Sequence, residues 1–133
     1  MFHGKPSFTV FKTEYCNIGI GICYDLRFAE YAAILVRDKN CKVLVYPANF
    51  PIATGALHFD TQTRSRAFEF QAYVLGAAPA RNIELPQNIQ SFGHSVIYGP
   101  WGEKLAGAGI EEQILYSEID PASVDDVKTQ LLW

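Results

Sequence analysis

The sequence predicts an α/β protein, built on a sheet whose strands alternate with helices. Between residues 16 and 78, three strand-like apolar segments are separated by two segments with helical character. This order is typical of a sheet in which right-handed crossovers join neighbouring parallel strands. The 133 residues, of which 49% are apolar, are enough for one domain with a buried core.

Two strands and a helix are predicted first. Residues 8–12 alternate weakly between apolar and polar, and CNIGIGIC at 16–23 alternates more clearly, so we predict two adjacent strands, the second ending at Cys23. From 27 to 39, apolar residues recur at i, i+3, i+4 and i+7, which predicts a helix with one apolar face. These residues are Phe28, Tyr31, Ala32 and Leu35.

A second strand–helix–strand series follows. KVLVY at 42–46 is an unbroken apolar run, as expected for a strand buried on both faces, and Pro47 ends it. A loop should then extend to about Gly55. Residues 57–72 lack glycine and proline and mix charged with apolar residues, which favours a helix, and YVLGAA at 73–78 is predicted to be a strand.

A loop, two further strands and a last helix complete the predicted elements. Residues 80–92 contain a proline and two asparagines and are predicted to form a surface loop. We expect closing antiparallel strands at 94–99 and 113–120, with PWG at 100–102 as a turn. Residues 121–131 begin with a proline, which is favoured in a first helical turn, and are predicted to be a helix.

Composition and charge argue against several classes of function. The net charge is −3 and the eleven Lys and Arg are scattered, so we expect no surface for nucleic acid or an anionic membrane. No apolar run approaches the ~18 residues of a membrane span. The opening MFHGKPSF lacks the features of a secretory signal. We therefore expect a soluble cytoplasmic protein, with a mitochondrial location as the alternative.

The three cysteines are predicted to be free thiols. Cys16, Cys23 and Cys41 form an odd set without CxxC spacing, which argues against a disulfide framework and against a zinc site. No metal site is expected. Cys16 and Cys41 are predicted to be structural, because free cysteine usually behaves as a small buried hydrophobic residue.

Cys23 differs because it lies where a predicted strand meets a predicted helix. In open α/β sheets, sites lie outside the carboxyl ends of the strands, which here are followed by residues 23–27, 47–54 and 79–82. A helix N-terminus favours a thiolate, and the N–H of Tyr24 is placed to meet an oxyanion. The alternative is that Cys23 is one more buried thiol.

Six short segments carry a family resemblance. They are GIGICYDLRFAE (19–30), VYPANF (45–50), TG (54–55), RSRAFEFQAYV (64–74), GHS (93–95) and PWGE (100–103). In order and spacing they resemble the nitrilase, or carbon–nitrogen hydrolase, superfamily, and especially its omega-amidase branch. The resemblance covers most of the chain from about residue 8. It implies an α-β-β-α sandwich and a cysteine nucleophile, Cys23, that attacks an amide or nitrile carbon, and no cofactor is expected.

The resemblance also implies roles for neighbours of Cys23. Arg27, otherwise a solvated or ion-paired helix residue, would bind a substrate carboxylate with its forked guanidinium. Phe50 matches an aromatic residue of the family's pocket and Thr54 matches a polar contact, although each is equally consistent with a structural role. Tyr24 would act through its backbone N–H, which leaves its side chain free to pack.

Other polar residues are expected to be structural. Asp25 is predicted to accept backbone or arginine hydrogen bonds rather than act as a base. His58 and His94 would suit a cysteine–histidine pair, but the family does not use histidine as its base. Three residues match the family's framework on the second helix and are predicted to make buried ion pairs: Arg64, Arg66 and Glu69.

The chain departs from the family in length. Family catalysis also uses a glutamate base and a lysine near the oxyanion, both from the half of the sandwich before the nucleophile, and only 22 residues precede Cys23. Neither Lys5 nor Lys12 lies in the family's lysine motif, and Glu14 is the only earlier glutamate. Residues 1–133 are therefore predicted to be a partial domain that lacks its N-terminal half.

The leading hypothesis is an omega-amidase-like hydrolase of small 2-oxo dicarboxylate monoamides, such as 2-oxoglutaramate and 2-oxosuccinamate, that releases ammonia through a cysteine thioester. A second branch would act on deaminated glutathione or a carbamoyl compound. A third hypothesis is an inactive fragment that pairs with a full-length subunit. The complete form is expected to be a homo-oligomer. Two smaller departures are Asn49, where a small residue is usual, and Phe70, where asparagine is usual.

Overall fold

The computed structural model describes residues 7–131 as a six-stranded mixed sheet with helices on both faces. Residues 1–6 and 132–133, and with them Lys5 and most of the segment inspected for a signal sequence, lie outside the described part. The strands have the same order in the sheet as in the chain. They are β1 (Thr9–Lys12), β2 (Asn17–Ile20), β3 (Cys41–Pro47), β4 (Tyr73–Ala77), β5 (Val96–Tyr98) and β6 (Lys104–Gly107).

The centre of the sheet is parallel and its edges are antiparallel. β2 pairs with β3, and β3 with β4, in parallel, whereas β1, β5 and β6 join antiparallel to their neighbours. Helices connect the parallel strands, as such connections require. They are α1 (Ala29–Ala33), continued by a π-helical turn (Ile34–Asp38), and α2 (Ile52–Phe70). The last helix of the described residues is α3 (Pro121–Gln130). The predicted α/β class is confirmed.

The two faces of the sheet are covered unequally. On the face that carries α1 and α2, Leu44 and Val74 of the strands form a buried core with Leu35 and Phe59 of the connecting segments. On the other face, a smaller cluster contains Val43, Tyr73 and Val124 of α3, and neighbours such as Val45 and Leu75 remain half-buried. One face therefore holds most of the buried apolar surface.

The strand predicted to end at Cys23 ends at Ile20 instead. Gly21 still donates to the Val45 carbonyl (3.0 Å), but a Cβ there would lie 2.5 Å from the Tyr46 ring, so only glycine fits beside that tyrosine. The chain then forms a 3-10 turn, Cys23–Arg27, which we call the Cys23 turn. The helix predicted over 27–39 consequently begins at Ala29, and the dipole of one short turn is weaker than that of the predicted helix.

The second predicted helix begins earlier than expected, at Ile52 rather than at 57. The loop after β3 is therefore short, and Thr54 and Gly55 belong to α2. Gly55 is accepted inside the helix because Phe92 packs directly against it, so closely that a Cβ on residue 55 would lie only 2.3 Å from the Phe92 Cβ. The sequence pattern was wrong here because glycine usually weakens a helix.

The strand predicted at 113–120 is wrong. These residues pair with no strand in the described part of the chain, and Ile114 and Tyr116 are 74% and 82% exposed. The strand at this edge of the sheet, next to β5, is β6, whose residues KLAG have weak strand propensity. Its conformation comes from pairing with β5, where Ile97 faces Ala106. The predicted turn before it is confirmed by a hydrogen bond from the Gly102 N–H to the Gly99 carbonyl (2.9 Å).

The remaining predicted elements are confirmed. α3 begins at Pro121, and the Asp120 carboxylate caps it by accepting from the Ala122 N–H (2.9 Å). The loop at 80–92 is largely exposed, with one 3-10 turn at Gln87–Ile89.

Within residues 7–131, no helix has the length and apolar character needed to cross a membrane. The same residues contain no group of three His, Cys, Asp or Glu side chains that would hold a metal ion.

Replacing Gly55 with alanine should destabilise the protein, although alanine normally favours a helix by about 1 kcal/mol over glycine. The added methyl overlaps Phe92, and overpacking of this kind costs roughly 1–3 kcal/mol. Urea unfolding measures the change. Gly109→Ala is the matched control, because a Cβ there meets no atom within 4 Å. Equal stability of the two variants would contradict the close contact with Phe92.

Candidate active site

Cys23 lies in a strained backbone conformation at the end of β2. Its φ is +49°, in the left-handed region that non-glycine residues rarely adopt, and its side chain is half-buried. Such a conformation costs roughly 1–3 kcal/mol and persists only where the surroundings impose it. A nucleophile on a sharp strand-to-helix turn is a known catalytic arrangement. The backbone of Cys23 is therefore typical of a functional residue.

Asp25 and Arg66 hold the Cys23 turn in place. The Asp25 carboxylate accepts from the Ile22 N–H (2.8 Å), which confirms a structural role for this residue. Arg66 of α2, only 7% exposed, donates from Nε to the Leu26 carbonyl and from Nη2 to the Arg27 carbonyl, each at 3.1 Å. The turn is thus bonded to α2 through its own backbone.

The predicted ion pairs on α2 are confirmed only for one arginine. Nη1 of Arg66 lies 2.9 Å from Oε2 of Glu69, although the Glu69 side chain is 45% exposed. Arg64 is exposed, and its Nε donates to the Gly102 carbonyl (2.8 Å) instead of pairing with Glu69. The prediction was wrong for Arg64 because its side chain leaves the opposite side of the helix, towards the turn before β6.

Tyr24 is the second residue of the Cys23 turn. The first backbone bond of this turn runs from the Asp25 N–H to the Ile22 carbonyl (3.0 Å). The N–H of Tyr24 lies one residue earlier, where the N–H groups of a helical turn have no acceptor within the turn itself. The Tyr24 side chain is 64% exposed.

The Arg27 side chain contacts two aromatic rings. The centre of its guanidinium is 5.2 Å from the Tyr24 ring centroid and 4.9 Å from that of Phe50, which is 4% exposed. Its Nη1 lies 3.1 Å from Nδ1 of His58, and its buried Nε has no partner in the described part of the chain. Cation–π contact and this hydrogen bond fix the side chain of Arg27, the last residue of the Cys23 turn.

The ends of β2 and β3 meet as the sheet topology predicts. The Cys23 thiol contacts the Asn49 carbonyl (3.7 Å), and the next residue, Phe50, contacts Arg27. Cys23, Tyr24, Arg27 and Phe50 are therefore brought together. Thr54 is half-buried in the first turn of α2, where its hydroxyl donates to the Pro51 carbonyl (3.4 Å). Thr54 is therefore connected to the site through the chain segment that also contains Phe50.

The third predicted segment, residues 79–82, contacts the site indirectly, through residues 91–92. Arg81 donates to the carbonyls of Ser91 and Phe92, at 3.0 and 2.8 Å, and the Phe92 N–H donates to the Phe50 carbonyl (2.8 Å). Phe92 also packs on Gly55. No local pattern in the sequence indicates these roles of Arg81 and Phe92, because both residues act through contacts with distant parts of the chain.

Neither histidine is placed as a base for Cys23. His58 is bonded to Arg27, and His94 packs against Phe92 with tilted rings whose centroids are 4.4 Å apart. The Cys23 sulfur contacts the Asn49 carbonyl instead. The bond between His58 and Arg27 connects residues 31 positions apart, so no local pattern in the sequence could reveal it.

The nearby lysine and glutamate of the N-terminal segment lie at the wrong end of β2. Lys12 pairs with Asn17, where β2 begins, and Glu14 is exposed in the turn between them. At about 3.3 Å per residue, β2 places this turn roughly 10 Å or more from its Cys23 end. The family's base and lysine therefore have no counterpart among residues 7–22.

The other two cysteines occupy structural positions. Cys41 is fully buried, and burial raises the pKa of its thiol above the ordinary value. Cys16 is half-buried beside the smaller apolar cluster. Because the thiolate is the reactive form, Cys41 is poorly suited to be a nucleophile.

Residues 1–129 match the model of the carbon-nitrogen hydrolase family. The chain is 46% identical over 125 residues to omega-amidase NIT2 of Homo sapiens and to omega-amidase NIT2-A of Xenopus laevis. These matches cover 94% of this chain but 44% of each relative, so the chain spans about half the length of the curated relatives it matches.

Solved structures agree with this assignment. Nit3 of Saccharomyces cerevisiae, a member of branch 10 of the nitrilase superfamily, superposes with a TM-score of 0.88 at 38% identity, over 96% of this chain and 46% of that one. The C. elegans NitFhit protein superposes with a TM-score of 0.75 at 36% identity, over 85% and 27%. In sequence and in fold, the chain belongs to the carbon-nitrogen hydrolase family.

Proposed function

We propose that this chain supplies the nucleophile-bearing half of an omega-amidase-like hydrolase of small 2-oxo dicarboxylate monoamides, such as 2-oxoglutaramate and 2-oxosuccinamate. The observation that carries the proposal is the placement of Arg27, held by two rings and a histidine beside the strained Cys23 turn. The activity named for the relatives supports the reaction class. No cofactor is needed for this chemistry.

In the proposed reaction, the Cys23 sulfur attacks the amide carbon and a C–S bond forms. The carbonyl oxygen becomes an oxyanion, which accepts from the Tyr24 N–H. The C–N bond then breaks, and the nitrogen leaves as ammonia after gaining a proton. Water attacks the thioester, the C–S bond breaks, and the acid product and free thiol are released. As the family resemblance implies, a glutamate outside residues 1–133 would carry the protons.

The environment of Arg27 favours an acidic substrate. Arg27 is half-buried beside two rings and a histidine, and no carboxylate of the described residues pairs with it. A substrate carboxylate would supply the opposite charge. Phe50 would form an apolar wall next to it. A neutral amide would leave the cation without an anionic partner, so Arg27 would select for charge.

A second candidate function is a partner subunit that lacks activity of its own. The observation that favours it is incomplete burial: Val45 and Leu75 are half-buried on the second face, and Ile114 and Tyr116 are largely exposed. We propose that the other half of the sandwich covers these residues, whether from the same polypeptide or from another subunit. A cytoplasmic homo-oligomer remains our prediction for the complete form.

We expect iodoacetamide to alkylate Cys23 faster than Cys16, and Cys41 most slowly. Cys23 is half-buried at the start of a helical turn, where a thiolate is favoured, whereas Cys41 is fully buried. Mass-spectrometric peptide mapping measures the three rates, and the same measurement in urea, where all three should react alike, is the control. Labelling of Cys23 no faster than that of Cys16 in the folded protein would argue against an activated nucleophile.

The chain alone should not hydrolyse amides, whereas a fusion behind the N-terminal half of the human relative should release ammonia from 2-oxoglutaramate. The absent base is typically worth ~10²–10⁴ in rate, and one absent oxyanion donor ~10²–10³. Cys23→Ala should abolish the activity of the fusion protein, and Cys16→Ala should preserve it. Cys23-dependent turnover by the chain alone would refute an external base, and a folded but inactive fusion protein would refute the amidase proposal.

Arg27→Lys in the fusion protein should reduce kcat/KM for 2-oxoglutaramate by about tenfold or more, because lysine keeps the charge but loses the forked geometry. The loss should be smaller for 4-oxopentanamide, in which a methyl group replaces the carboxylate. Steady-state kinetics on both substrates measure the difference. Equal losses of kcat/KM on both substrates would show that Arg27 has a structural role only. A higher kcat/KM for deaminated glutathione than for 2-oxoglutaramate would favour the second branch of the family.

A further inference from the structure

We infer that His58 is a positioning residue for the substrate carboxylate, because it fixes which terminal nitrogen of the Arg27 guanidinium faces the ligand. The inference rests on the proposed function of Arg27 and extends it to a residue of α2. His58 is half-buried in the second turn of that helix, and its Nδ1 lies 3.1 Å from Nη1 of Arg27.

The chemistry of the two groups defines the direction of this hydrogen bond. A guanidinium has only donors, so Nδ1 of His58 must accept. His58 is therefore neutral in this arrangement and carries its proton on Nε2. In this state it cannot take a proton through Nδ1 without losing its bond to Arg27, which separates its role from that of a base.

The hydrogen bond to His58 decides which terminal nitrogen of Arg27 is left for a ligand. A guanidinium can donate to a carboxylate from Nη1, Nη2 or Nε. His58 occupies Nη1. Nε is buried in the described structure, so an incoming carboxylate has no open approach to it. His58 thus leaves Nη2 as the donor that faces the carboxylate.

Three contacts together determine the orientation of the guanidinium. The rings of Tyr24 and Phe50, 5.2 and 4.9 Å from the centre of the guanidinium, restrict its movement. The bond to His58 restricts its rotation. Arg66, two turns further along α2, bonds to the backbone carbonyl of Arg27 (3.1 Å). The same helix therefore holds Arg27 at its backbone through Arg66 and at its side chain through His58.

The test compares His58→Phe with His58→Asn in the fusion protein. Phenylalanine keeps an aromatic ring but cannot accept, whereas the Asn side-chain oxygen lies near the position of Nδ1 and can. We expect His58→Phe to reduce the ratio of kcat/KM for 2-oxoglutaramate over that for 4-oxopentanamide by about tenfold, mainly through KM, and His58→Asn to restore most of it. His94→Phe is the matched control and should leave the ratio unchanged.

A double-mutant cycle separates this role from a general structural one. If His58 acts through Arg27, His58→Phe should not lower the ratio further once Arg27 is replaced by methionine. An unchanged ratio in His58→Phe, equal losses in the Phe and Asn variants, or additive effects with Arg27→Met would each overturn the inference. Loss of turnover on both substrates in the unsubstituted fusion protein would instead overturn the proposed function.

A measurement on the imidazole itself needs no turnover. The ¹⁵N chemical shifts of His58 should report a single tautomer protonated on Nε2 near neutral pH. In Arg27→Met the two tautomers should mix, because the donor that selects one of them is gone. The same shifts in both proteins would show that Arg27 does not hold His58, and would overturn the inference whatever the activity.

Discussion

The structure of this site depends on the buried guanidinium of Arg66. Removing a cation from water is costly, and the cost is offset only when its donors find good acceptors. Arg66 reaches the Leu26 and Arg27 carbonyls and the Glu69 carboxylate, which ties the Cys23 turn to α2. The left-handed backbone of Cys23 needs such external bonds, because a short 3-10 turn has few of its own.

α2 consequently organises most of the site, although neither Cys23 nor Arg27 belongs to it. Its first turns carry Gly55, which lets Phe92 approach, and His58, which binds the Arg27 side chain. Phe59 packs against Phe50 with ring centroids 5.3 Å apart, so the same helix also supports the apolar wall. A rigid helix is well suited to this task, since its side chains keep fixed distances from one another along two or more turns.

The sequence predicted the parts of this architecture that depend on local pattern. The unbroken apolar run of β3 is local, and so is the change from strand to helical conformation, although β2 ends at Ile20 and not at Cys23 as predicted. The carboxyl-end rule for parallel strands then brings Cys23 near Phe50. β6 and the start of α2 were missed because a pairing strand and the Phe92 ring override weak local propensities. The bond between Arg27 and His58 is a tertiary contact, which no spacing in the chain encodes.

The two faces of the sheet contribute differently to function. The face covered by α1 and α2 is packed and holds the Cys23 turn, while the other face leaves Val45 and Leu75 half-buried. β3 connects the less covered face with the Cys23 site. Val45 of this strand faces the less covered side, and Asn49 and Phe50 follow shortly after the strand ends, where the Asn49 carbonyl contacts the Cys23 thiol. Packing of a further layer against Val45 would therefore act on the strand whose end contacts the Cys23 sulfur. Burial of that face and completion of the catalytic groups would then be consequences of a single association, in which stability and chemistry are gained together.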